Sequence, residues 1–540
     1  MTKPSRPASA AGGQRPASAP AKPSGPVDLN KKMEEADARV IANPSAPDAY
    51  AARAAIYRQK GLFKEAIADF TQALEMGSDD LQVLIDRAIC YRRIDEPELA
   101  VNDLTQVQML EPTNVQAFAQ RGLCYMAMGD PIRAIPDFSK AIHLAPDKFA
   151  YYFNRAEAFI KGKQYDAAIP DLDKVVQLNP KLAAGYQLRG LCHYHLDQLE
   201  IALADNHKAV ALEPDNPFYL HNRGVVYFDL KQFKNALADF EAALKVEPRQ
   251  VQTIYYCGRV RAKLGKQRDA IKDYDKALAL KPDHIESLDA KGDALLDLKD
   301  YKALDQNDEI LLKVDANNAT AFYRRGVVSA ATKLVEQAIH DFSQAIIRRP
   351  NYAIAYEERA RLHSLRGDKS AAAHDLGMAI AHGIDDPVVF ALHARLLKER
   401  GELDLAVSSY DKAIEGLPET YELILERGQV HYKLGHFAQA ADDFAHCARL
   451  RPNDAVLQFN LGSASLEANL FDQAIEAFTK SIAQNRNDAA SYLSRGEAYL
   501  AKNDLKRAED DFKKAFQITR DPRLQEVAGK RLAELGSHKA

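Results

Sequence analysis

The chain has 540 residues, more than one compact core usually holds, so several domains or a repeating array are expected. Its 46% hydrophobic and 27% charged content is ordinary for a globular chain, and a net charge of −4 argues against the basic face that a general nucleic-acid grip needs. No uncharged apolar run approaches the roughly 20 residues of a bilayer span, so no membrane partner is expected.

Residues 1–27 are rich in Pro, Ala, Ser and Gly, carry Lys3, Arg6, Arg15 and Lys22, and hold no acid before Asp28. Such a segment buries too little apolar surface to offset its ordering entropy, so a disordered basic tail is expected. It has no apolar stretch of the kind a secretory signal needs. Lack of acids suits a mitochondrial presequence, but six prolines prevent the amphipathic helix that one requires. RPASA occurs at Arg6–Ala10 and again at Arg15–Ala19, placing Ser9 and Ser18 three residues after an arginine. That spacing suits phosphorylation by a basophilic kinase or docking on an acidic surface. Over 28–46, Leu29–Ala42 has helical content and ends at Asn43–Pro44, which predicts a helix that covers whatever follows.

From Pro47 to Pro522 a 34-residue frame repeats fourteen times without insertion, as 47–80, 81–114 and onward in equal steps to 489–522. The stretch Pro217–Gln250 shows it best. Position 8 is Gly or Ala in all fourteen, and position 20 is Ala in thirteen, the exception being Leu304. Position 4 is large and apolar except at Gln458, and position 24 except at Asn206 and Asp308. Pro stands at position 32 in nine repeats. Small residues let two helices approach, large ones at helical spacing fill the gap to the next pair, and Pro stops the second helix.

This period and register resemble the tetratricopeptide repeat (TPR) family. The resemblance implies an all-α, right-handed TPR superhelix of about fourteen helix A–turn–helix B units. Residues 523–540 are expected to close it with a capping helix, through Leu524, Val527, Arg531, Leu532 and Leu535, and a frayed end at Gly536–Ala540. Pro136 and Pro170 fall inside helix B of repeats 3 and 4 and are expected to bend it. Repeat 8, Ile285–Asn318, is the weakest match, through Lys291, Leu304, Asp308 and Ala316, and reads as a degenerate repeat or a softer joint.

The chain departs from the family at position 7, which is Arg in ten repeats, and in all ten position 23 is Asp. Arg53 with Asp69, Arg223 with Asp239 and Arg495 with Asp511 are examples. Covariation inside one chain points to a structural ladder across helices A and B. Where position 7 is Cys257, Lys291, His393 or Leu461, Asp survives only at Asp273.

No catalytic motif, phosphate loop, CxxC or metal-ligand spacing occurs, so no enzyme activity, cofactor or metal is expected. The five cysteines occupy packing positions and read as reduced thiols of a cytoplasmic protein, with cytoskeletal or ciliary association left open. The family resemblance implies that helix A lines the concave face through positions 2, 5, 9, 12 and 13. Carried over, it selects a groove of Ile85, Ile89, Leu123, Phe153, Leu191, Tyr194, Val225 and Phe228, with further apolar positions at Leu425, Phe459, Leu466, Leu493 and Leu500. The family's carboxylate clamp for chaperone tails needs Lys at position 5 and Asn at position 9; no repeat has either, which argues against that partner. The expected function is a non-enzymatic scaffold for protein or peptide partners. The alternatives are a recruiting arm of a separate enzyme and a component of a cytoskeletal or ciliary assembly.

Overall fold

Six of the repeats begin where a capping side chain meets a run of helix formers. In the computed structural model, which describes residues 29–537, every helix A starts at position 1 of the frame and every helix B at position 17. The sixth repeat is typical, with helix A at Pro217–Asp229 and helix B at Phe233–Val246. Asn216, just before helix A, accepts from the amides of Phe218 and Tyr219, while Pro217 needs no donor partner at the first helical position. Asp80, Asn114, Asn318, Asp386 and Asp454 cap other repeats from the same frame position.

The A-to-B turn has one length because one residue reverses the chain. Position 15 is left-handed in all fourteen repeats, for example Gly401 (φ 83°) and Lys231 (φ 60°). Glycine adopts that conformation freely, whereas a side chain there costs on the order of 1 kcal/mol.

Among the described residues there are thirty helices and no strand. The first, Leu29–Ala42, is in phase with a helix B and buries Ala36 and Val40. The last runs from Pro522 to Ser537, through the Gly536 at which fraying was expected. It buries Ala528 and Leu535, whereas Val527, expected on its inner face, is exposed: it precedes Ala528 by one step of about 100°. The helices of repeats 3 and 4 continue through Pro136 and Pro170. The tail over 1–27, with Ser9 and Ser18, lies outside the described residues, as do residues 538–540.

The core is a series of small clusters shared between adjacent repeats. One joins Tyr194 and Ala202 to Val225, Phe240, Tyr256 and Val260. Another joins Ile424 and Phe444 to Leu457 and Leu461. Within a repeat, the position-24 ring of helix B lies on the position-8 residue of helix A. A Cβ added to Gly224 would stand 2.6 Å from Phe240, and one on Gly496 would stand 2.6 Å from Phe512. Where position 24 is Leu (Leu104, Leu172 and Leu376), position 8 is Ala (Ala88, Ala156 and Ala360). The described residues fall into two compact units, one ending at Ala294 and the other beginning at Leu295, and the division lies inside helix A of repeat 8.

Candidate functional site

The Arg–Asp ladder is a set of forks. In nine of the ten Arg repeats, Nε and Nη2 each donate to one oxygen of the position-23 Asp at 2.6–3.0 Å. In the tenth, Arg325 donates through Nη2 alone and Gln337 takes the second oxygen of Asp341. A third arm, Nη1, turns the other way, to position 25 of the preceding helix B. Its partners are Asp37 for Arg53, Thr71 for Arg87, Ser139 for Arg155, Asp173 for Arg189 and Thr479 for Arg495. For Arg223 it is His207, whose pKa is lowered by burial and then by that guanidinium. Apart from Arg325, each Arg therefore ties its own repeat to the helix B before it, with partners 16 residues away in both directions.

Tyrosines at positions 4 and 11 flank the guanidinium. Arg53 lies 5.6 and 5.9 Å from the Tyr50 and Tyr57 rings, and Arg495 lies at the same distances from Tyr492 and Tyr499. The hydrogen bonds to Asp69, Asp239 and Asp511 are the largest influence raising the Arg53, Arg223 and Arg495 pKa values. Both oxygens of each carboxylate are occupied, so these pairs hold helices together and present no free base.

The exceptions carry substitutes that the sequence reading did not identify. In repeat 7, where position 7 is Cys257, Arg261 from one turn later bridges Asp273 and Glu241. Lys291 pairs with Asp275 at 2.7 Å, and His393 faces the Ser409 hydroxyl at 3.1 Å. In repeat 13 the set is apolar: Leu461 packs in one cluster with Ala477 and Ala445. Asp308 is also compensated. It meets Arg324 of the next repeat through two 2.9 Å bonds, and both side chains are fully buried.

The eight groove residues divide by depth. Ile89, Leu123, Phe153 and Leu191 are half-buried on four successive helices A. Ile85, Tyr194, Val225 and Phe228 are buried, at 1%, 7%, 6% and 6% exposure. The seam between consecutive helices A accounts for two of these. The Tyr194 hydroxyl donates to Asp229 of the next repeat at 2.5 Å, and Arg259 of the next repeat caps the Phe228 ring at 4.5 Å. These four are packing residues and not open lining. In the second unit Leu425, Phe459, Leu466, Leu493 and Leu500 are half-buried, while Arg395 pairs with Glu426 and Arg361 with Glu357 and Glu358.

All five cysteines are buried and free, and burial raises their pKa values, to about 11 at Cys90 and about 12 at Cys192. Among the described residues no group of three or more His, Cys, Asp or Glu is placed to hold a metal ion, and no helix is long and apolar enough to cross a membrane.

Repeated helical hairpins with fixed turns, shared cores and a half-exposed helix-A stripe define an α-helical repeat scaffold. Family profiles described as tetratricopeptide repeat match residues 47–79, 120–183, 217–250, 258–284, 392–455 and 459–522, together more than half of the chain. The chain belongs to the tetratricopeptide repeat family, whose members are generally non-catalytic protein-interaction scaffolds.

No curated protein matches the chain. Similar solved structures include MamA from Desulfovibrio magneticus RS-1, at 28% identity over 32% of this chain and 98% of that one, with a TM-score of 0.31. The APC/C Cut9–Hcn1 hetero-tetramer is similar at 14% identity over 86% of this chain and 98% of that one, with a TM-score of 0.33. A tetratricopeptide repeat protein from Parabacteroides merdae is similar at 20% identity over 43% and 92%, with a TM-score of 0.36.

Proposed function

We propose that this chain is a non-enzymatic scaffold that binds a protein or peptide along its helix-A face, the concave face in this family. The observation that carries the reading is the stripe of Ile89, Leu123, Phe153 and Leu191. On four successive helices A these side chains stay half-exposed, whereas Ile85, Tyr194, Val225 and Phe228 are sealed. Contiguous apolar surface of this kind marks an interaction site, and an extended or helical segment with apolar anchors is the occupant it fits.

The Leu123→Ser/Phe153→Ser/Leu191→Ser variant is expected to keep its helicity and melting temperature while losing the partner recovered by affinity purification. Cross-linking mass spectrometry on the wild-type complex is expected to place the partner on helices A of repeats 2–5. A triple variant that retains its partner, or cross-links confined to helices B, overturns the assignment.

A further inference from the structure

Most half-buried arginines of this chain are neutralised by an aspartate, but the ninth repeat keeps two that are not. Arg348 ends the helix B at Val335–Arg348 and Arg349 caps it, at frame positions 30 and 31. Position 30 is apolar in ten of the fourteen repeats.

Neutral groups hold both side chains in place. Arg348 lies 4.1 Å from the Phe322 ring, and its Nε donates to the Ala316 carbonyl at 3.1 Å. Its Nη1 donates to the carbonyl and side-chain oxygens of Gln344 at 3.2 and 2.7 Å. Arg349 lies 4.5 Å from the Tyr352 ring, and its Nη2 reaches the Thr320 hydroxyl at 3.4 Å. None of these acceptors is charged, and among the described residues neither arginine forms an ion pair. The charged groups nearby in the chain are otherwise engaged: Lys313 pairs with Glu309, and Asp315 accepts from the Asn317 amide and from Asn318.

Repeat 12 has what repeat 9 lacks. Its Arg451 stands at the frame position of Arg349, lies 3.7 Å from the Tyr421 ring, and meets Glu422 at 3.5 Å. Glu422 is position 2, which in the ninth repeat is Thr320. The cation is kept and its counter-ion is gone. Beside it, Ile347 is 68% exposed and Val314 is 39% exposed. Because rings and carbonyls already fix the two guanidinium groups, an incoming carboxylate meets a prepared fork and loses little affinity to side-chain ordering.

We propose that Arg348 and Arg349 dock an acidic segment of a partner protein. One carboxylate takes beside Arg349 the place that Glu422 takes beside Arg451, and a second accepts from Arg348 Nη2. An apolar residue of the same segment lies on Ile347. Two arginines on a chain of net charge −4 do not make the extended basic face that a nucleic-acid backbone needs, which favours an acidic peptide. The site is separate from the stripe of Ile89, Leu123, Phe153 and Leu191, and its test does not depend on that assignment.

The probes are the peptide Asp-Glu-Leu-Asp-Glu-Leu, its Asn/Gln counterpart, that counterpart with one phosphoserine added, and oligo-uridine. Each is titrated into the full chain with labelled Ile and Val methyl groups and followed by NMR. The acidic peptide is expected to shift Ile347 and Val314 and to bind about tenfold tighter than its Asn/Gln counterpart, the share of one charge-assisted hydrogen bond. Added salt is expected to weaken it. Arg348→Gln/Arg349→Gln is expected to abolish the shifts. Thr320→Glu installs the counter-ion of repeat 12 and is expected to weaken the acidic peptide about threefold. Equal binding of the Asn/Gln peptide, tighter binding of the phosphoserine peptide or of oligo-uridine, shifts confined to Ile89, or undiminished binding by either variant would each overturn the proposal.

Discussion

Arg223 and Asp239 face each other across one helical hairpin through two parallel hydrogen bonds of 2.7 Å, while the third nitrogen of the same guanidinium lies 3.3 Å from His207 of the previous repeat. One side chain thus joins an intra-repeat contact to an inter-repeat one. Stability in a repeat array is the sum of those two kinds of term. The Arg223 side chain keeps 17% of its exposure and the Asp239 side chain 10%, which places the pair between a surface and a fully buried bridge.

Arg223→Ala is therefore expected to cost about 2 kcal/mol, and Asp239→Ala a similar amount. The double substitution should cost less than their sum by about 1 kcal/mol, because the first loss already removes the contact that the second would break. Urea unfolding of the four proteins measures this directly. Additive losses would show that the two side chains act independently.

Asp308 and Arg324 form the fully buried version of such a pair, 16 residues apart across the junction of repeats 8 and 9. Removing one partner leaves a buried charge without its counter-ion from the pair, so Asp308→Leu alone and Arg324→Leu alone are each expected to cost about 3–5 kcal/mol. The same frame positions hold Leu172 with Leu188 and Leu376 with Leu392, and both pairs pack in apolar clusters. Asp308→Leu/Arg324→Leu should therefore recover most of that loss. A double variant as unstable as the worse single one would show that the pair serves more than its own neutralisation.

The close approach of helices A and B is tested at Gly224. Alanine gains about 1 kcal/mol of helix propensity there but meets the Phe240 ring at 2.6 Å, and overpacking costs about 1–3 kcal/mol. Gly224→Ala is expected to destabilise by about 1 kcal/mol. Combining it with Phe240→Leu recreates the Ala156–Leu172 arrangement of repeat 4, so the two changes should be less harmful together than separately summed. Equal or greater loss in the double variant would place the clash elsewhere.

The register of helices A and B was readable because residue type is constrained at positions 8 and 20, where Gly224 and Ala236 leave room for a neighbouring helix. The Arg–Asp correspondence was readable because both members are charged and recur together. The third arm was hidden for the opposite reason. Asp37, Thr71, Ser139 and His207 perform one task as acceptors, so no single residue type marks the position. Arg261 was missed because it reaches Asp273 from one turn further along, and Arg324 because Asp308 looked like a lost aromatic. The groove was half legible. Frame position tells which way Tyr194 and Phe228 point, but only the next helix A, through Asp229 and Arg259, decides that they are covered.

Acid should weaken the sixth repeat through His221. Its ring lies 5.5 Å from both Phe240 and Tyr256, and burial pushes its pKa down from 6.5 to about 4. The Thr253 hydroxyl, 2.8 Å from Nδ1, gives its own proton to Gln250 and so accepts from Nδ1–H, a bond that both protonation states can make, which leaves burial as the cause of the shift. The unfolded chain takes up a proton near pH 6.5 that the folded one refuses until about pH 4. The stabilisation is thus complete above pH 6.5 and is lost as pH falls through that window. Between pH 7.5 and pH 5 the wild type is expected to lose about 2 kcal/mol more than His221→Phe, which packs a ring without a titrating group. Urea unfolding at both pH values reads the difference, and parallel losses in the two proteins would remove His221 from the account.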